Sequence, residues 1–126
     1  MRVGELLSAA KTMLDEPGEE TVTTWPLAAA VLTRQAIETT LDVHWARTVT
    51  AMRYASRKEQ WLALPSYLGR APEVPAAWYA WTVLSEACHH RDYDVGLTQE
   101  ELRAHLATAR AFAKLVAAKL DAAAAP

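Results

Sequence analysis

The chain is short of the residues on which several specialised folds depend. It holds one cysteine in 126 residues, so no disulfide can close within it. That suits a reducing compartment and excludes the disulfide-stapled secreted class. Glycine occurs only four times and phenylalanine once. No glycine-rich phosphate loop, dinucleotide fingerprint or serine-nucleophile elbow is present. Positive charge is not in excess: 13 Lys and Arg against 15 Asp and Glu give a formal charge of −2. This argues against broad electrostatic binding of nucleic acid. Apolar runs are short, and the first residues are soon interrupted by Glu5, Lys11, Asp15 and Glu16, leaving no signal-peptide core. The expectation is a soluble, cytoplasmic protein that does not enter a membrane.

What the chain does have is apolar residues at helical spacing. Hydrophobic residues make up 52% of it, enough to bury the core of one domain. Val3, Leu6, Leu7, Ala10, Met13 and Leu14 predict a helix over 3–15, stopped by Glu16-Pro17-Gly18. Thr23 or Thr24 as a cap and Pro26 in the first turn predict a long second helix. Its stripe is Leu27, Val31, Leu41 and Trp45, with Ile37 alongside, and it ends between Thr48 and Tyr54. Ser56 and Glu59 have capping-box spacing and open a shorter helix that Pro65 bends or breaks and Gly69 stops.

A fourth helix is predicted over 75–90, with Val74, Trp78, Trp81, Ser85 and Cys88 on one face and Leu84 next to it. After a polar turn around Gly96, Thr98 and Glu101 form a second capping box, so the last helix begins near Gln99. Its stripe is Leu102, Leu106, Ala109, Ala113, Val116 and Leu120, with Phe112 flanking. These elements predict an all-α fold: an antiparallel four-helix bundle with an additional short helix, one domain over 1–121, and a disordered tail over 122–126.

Aromatic and charged residues qualify this picture. Five tryptophans are many for the length, and core is their ordinary place. Trp78, Tyr79 and Trp81 make the fourth helix apolar around more of its circumference than one inward stripe needs, which suggests a homodimer contact. Arg47, Arg53, Arg57, Lys58 and Arg70 outnumber Glu59 in the middle of the chain. That run reads as a solvated helix face, with a local basic face as the alternative.

Chemistry concentrates in Cys88-His89-His90-Arg91-Asp92-Tyr93, at the expected end of the fourth helix. Histidine titrates near neutrality and can act as acid or base. One reading of the cluster is a catalytic one built on His89, His90, Arg91 and Tyr93. The other is capping, since cationic side chains at a helix C-terminus are favoured by the macrodipole. Adjacent histidines lie about 100° apart around a helix, so the two cannot face the same way. Arg34 and Glu38, four residues apart, are either an ion pair at the edge of the buried face or a phosphate-binding guanidinium held by a carboxylate. No metal site is expected. Cys88, His89, His90, His105 and His44 fit no common zinc spacing. Cys88 is expected to face the core, where burial makes a thiol inert. No cofactor is implied.

The run Ala29-Ala30-Val31-Leu32-Thr33-Arg34-Gln35-Ala36-Ile37-Glu38, the histidine ending the penultimate helix, and Tyr93 followed by the Thr98 cap together resemble the HEPN superfamily of compact α-helical domains. The resemblance spans about Pro26 to Leu120 at the level of pattern. It implies a HEPN-like helical domain of a bacterial defence or toxin–antitoxin system, homodimeric and with a partner protein encoded nearby. In HEPN ribonucleases an Arg-x4–6-His motif at this helix end cleaves RNA without metal. The histidine maps onto His89 or His90, and Tyr93 onto the tyrosine that follows it in HEPN toxins. Thr82, Val83, Leu84 and Ser85 stand where the motif's arginine is sought, and neither they nor Glu86 after them is an arginine, which leaves Arg91 or Arg34 to supply that charge. The alternative is a non-catalytic module that binds a protein or a nucleotide.

Overall fold

The computed structural model describes residues 2–16, 25–89 and 96–125, and every element among them is helical. In chain order these are α1 (Val3–Asp15), α2 (Trp25–Thr48), a 3₁₀ turn (Thr50–Tyr54), α3 (Arg57–Ala63), α4 (Pro65–Leu68), α5 (Glu73–His89) and α6 (Gln99–Ala124). No helix is long and apolar enough to cross a membrane among the described residues. The expected breaker at 17 and 18 and the caps Thr23 and Thr24 lie outside those residues.

Local chemistry accounts for the ends. Ser56 opens α3 by accepting the Glu59 N–H at 3.1 Å, and its hydroxyl donates to the Glu59 carboxylate at 2.9 Å. Pro65 has no N–H to continue α3, so α4 restarts at the proline. Gly69 ends α4 at φ +73°, a conformation that costs a residue with Cβ. Thr98 and Glu101 complete the capping box of α6. That helix continues to Ala124, into the stretch expected to be disordered.

The four long helices share one core, with α2 packed against α1, α5 and α6. α1 and α6 run antiparallel. Gln99 and Arg103 at the start of α6 donate to the Leu14 carbonyl at the end of α1, at 2.6 and 3.0 Å. They satisfy a carbonyl that the helix end leaves open. Arg103 and Lys11 both reach Asp15 at 2.6 Å and tie the same corner.

The buried faces differ from the hydrophobic stripes read from sequence. On α2 the fully buried positions include Ala29, Ala30, Thr33, Ala36 and Thr40 beside Ile37, Leu41 and Trp45. Leu27 and Val31 are only half-buried. On α5 they are Val74, Ala77, Ala80, Leu84 and Ala87, while Trp78, Trp81, Ser85 and Cys88 sit half-buried at the edge. On α6 Phe112 is fully buried and Ala113 is not. Small residues at the contact let helix axes approach, so they take the centre of a seam and large rings flank it. Buried threonines need a partner for the hydroxyl. Thr33 and Thr40 each return it to the carbonyl four residues back, at 2.8 Å.

Candidate functional site at the α2–α5 seam

α5 ends at His89, and the histidine is exposed, with no hydrogen bond or ion pair among the described residues. His90, Arg91 and Tyr93 lie outside those residues, so of the expected cluster only His89 is placed. Its neighbour Cys88 is half-buried and sits within the fields of Arg34 and Glu38 on α2. Burial pushes the Cys88 thiol up, the Arg34 charge opposes that shift, and Glu38 adds to it. A thiol held protonated this way is a poor nucleophile.

The Arg34–Glu38 pair forms, with Nε to Oε1 at 3.4 Å and both side chains about three-quarters buried (25% and 26% exposed). The contact is ionic only, because the buried Arg34 Nε makes no hydrogen bond among the described residues. Ser85 Oγ, one turn before Cys88 on α5, is likewise buried and unpartnered there. At the α2–α5 seam the Arg34 guanidinium therefore acts on the Cys88 thiol, with the Ser85 hydroxyl one turn before Cys88 and the exposed His89 next to it in the chain.

Sequence reading missed the other half of this network. Arg57, part of the basic run taken as solvated, reaches Glu38 at 3.3 Å and Asp42 at 2.8 Å from α3. Its Nη1 also donates to Gln60 Oε1 at 2.9 Å. Burial lowers the Arg57 pKa, but Asp42 and Glu38 more than offset it, so the guanidinium is held firmly charged. Gln60, 2% exposed, spends its amide on the Met52 and Ala55 carbonyls and so fastens the 3₁₀ turn. The signal available in sequence was the lone Glu59 among five cations, which left Arg57 free to seek acids on another helix. Arg53 is also occupied, lying 4.7 Å over the Tyr54 ring.

No group of three or more His, Cys, Asp or Glu side chains is placed to hold a metal ion among the described residues. His44 and His105, weighed as ligands from sequence, lie apart from the junction in different surroundings. His44 is 2% exposed, edge-on to Trp45 at 4.6 Å and to Tyr67 at 5.9 Å. His105 lies 6.4 Å from the Tyr79 ring.

On the expected dimer face, Tyr79 is 67% exposed. Trp78 and Trp81 turn partly inward onto Trp61, with ring centroids 6.2 and 6.3 Å away. The free apolar surface of α5 is therefore narrower than its sequence suggests. No family model, curated protein or solved structure matches this chain.

Proposed function

We propose that this chain is a HEPN-like helical domain of a bacterial defence or toxin–antitoxin system, and that it cleaves RNA without metal at the end of α5. The observation that carries the reading is the position of Arg34, whose charge acts on Cys88, the residue next to His89. In this reading Arg34 is the cation that stands in for the arginine the sequence motif lacks. In this scheme His89 or His90 removes the proton of a ribose 2′-hydroxyl as that oxygen attacks phosphorus. The 5′-oxygen leaves and takes up a proton, and a 2′,3′-cyclic phosphate remains. Arg91 and Arg34 offset the charge that builds on the phosphorane, and Tyr93 positions the phosphate. A homodimer through Tyr79, Trp78 and Trp81 would bring two such ends together, and sedimentation as a monomer at micromolar concentration would remove that feature.

A second reading, a non-catalytic module for a partner protein or nucleotide, is favoured by the carboxylates that engage the arginines. Glu38 faces both Arg34 and Arg57, and Asp42 takes Arg57 as well. RNA cleavage by purified protein in EDTA, beside a His89→Ala/His90→Ala double variant, separates the two. Cyclic phosphate ends that disappear in the variant support the nuclease. Cleavage no greater than the variant's leaves the binding module.

A further inference from the structure

A groove of about 510 Å³ lies away from the α2–α5 junction, between α1, α2 and α6. Val3, Leu7, Val43, Val116 and Leu120 line it, and its floor is kept low by Gly4, Ser8, Ala113 and Ala117. Gly4 is the second residue of α1, in its first turn. A Cβ built there meets nothing within 4 Å, so packing does not require the glycine. What its absence of side chain does is leave the groove open. Val43 remains 40% exposed at the rim.

Arg110 and Lys114 form one lip and also line a second groove of about 320 Å³, which continues along α1 and α6 past Lys11 and Arg103. Among the described residues no Asp or Glu lines either groove. Asp15 neutralises Lys11 and Arg103, both at 2.6 Å. Arg110 and Lys114, by contrast, have no ion pair or hydrogen bond among the described residues. Apolar ground with uncompensated positive charge along one edge thus extends from Arg110 to Leu120. These ten helical steps of about 1.5 Å give about 15 Å, close to three turns.

We propose that this groove receives an amphipathic α-helix of a partner protein, with its apolar stripe on Val3, Val43, Ala113 and Ala117, above the buried Leu7, Val116 and Leu120, and its carboxylates against Arg110 and Lys114. A helix-in-groove contact needs an apolar trough of about this length, and the free cations select acidic residues at its edge. The concavity opposes a flat bilayer, and the apolar floor opposes a polynucleotide. The proposal stands apart from RNA cleavage, and its test involves no RNA.

Fluorescence anisotropy with a labelled synthetic peptide of about 15 residues tests it. Leucines at i, i+3, i+4 and i+7 form the stripe, with glutamates beside them, and a matched peptide carries lysines instead. The glutamate peptide should bind in the micromolar range, at least about tenfold more tightly than the lysine peptide, and lose affinity as salt rises. Arg110→Glu with Lys114→Glu should reverse the preference. Gly4→Leu should fill the trough and abolish binding at unchanged helicity by circular dichroism. Equal affinity for the two peptides would overturn the proposal. So would undiminished binding by Gly4→Leu, or binding only to vesicles of phosphatidylcholine and phosphatidylglycerol.

Discussion

His44 should make this protein lose stability in mild acid. Its ring is 2% exposed, edge-on to Trp45 and Tyr67, and neither ring nitrogen has a hydrogen-bond partner among the described residues. Burial disfavours the imidazolium and lowers the His44 pKa, with no charged group contributing to the shift. The unfolded chain binds a proton at this residue as pH falls through about 6.5, whereas the folded chain does not until a lower pH. Over that window stability falls with falling pH by as much as about 1.4 kcal/mol per unit. His105 contributes in the same sense, because burial lowers its pKa and Glu101 only partly opposes that.

His44→Phe keeps a ring in the slot and removes both unpartnered nitrogens. It should raise stability at about pH 7.5 by about 1–2 kcal/mol, or roughly 4–8 °C in Tm. It should also remove the larger part of the decline between about pH 7 and pH 5. Urea unfolding followed by tryptophan fluorescence across that range reads both effects. Below it, Asp15, whose carboxyl is held below its usual value by Lys11 and Arg103, adds its own loss as it protonates. An unchanged pH dependence in His44→Phe would refute the reasoning, and so would a loss of stability at pH 7.5.

Two further substitutions probe the packing around the 3₁₀ turn and the central rings. Gln60→Ala leaves the Met52 and Ala55 carbonyls and the Arg57 guanidinium without their shared partner. It should cost about 2–3 kcal/mol in urea unfolding, and a change under about 0.5 kcal/mol would contradict the role given to the amide. Phe112→Ala removes a fully buried ring 5.5 Å from that of Trp61, and should cost about 3–5 kcal/mol. Trp61 emission should shift to the red as water reaches it.

Much of the architecture is legible in the residues because helix ends are decided by local chemistry. The Ser56 and Thr98 caps, the Pro65 restart and the Gly69 stop each depend on a few neighbouring atoms, and they fall where the sequence places them. Which way each helix faces is less legible, and for a definite reason. Hydropathy patterns weight Leu, Val and Trp, whereas the seams of α2 and α5 are centred on Ala29, Ala30, Ala36, Ala77 and Ala80. Alanine adds little to an apolar stripe but decides how near two helices can come. The tryptophan face of α5 therefore lies one step from the true centre of the seam, and Phe112, on the flank of the apolar stripe of α6, is fully buried.

The same limit governs the site. Spacing along one helix could reveal the Arg34–Glu38 pair, but nothing along the chain could show that Arg57, nineteen residues further on, closes on the same carboxylate. This shared partner bears on chemistry. A guanidinium free to meet a phosphate must not be fully claimed by its own carboxylate, and Glu38 divides its two oxygens, Oε1 toward Arg34 and Oε2 toward Arg57. Asp42 takes the shorter contact to Arg57, at 2.8 Å against 3.3 Å, and so relieves Glu38 of part of that demand. Arg34 keeps only the 3.4 Å contact, and its Nε makes no hydrogen bond among the described residues. Of the two arginines, Arg34 is thus the less tightly held and the one beside Cys88 and the end of α5. A phosphate recruited to this seam would compete with Glu38 for Arg34 before it could disturb Arg57.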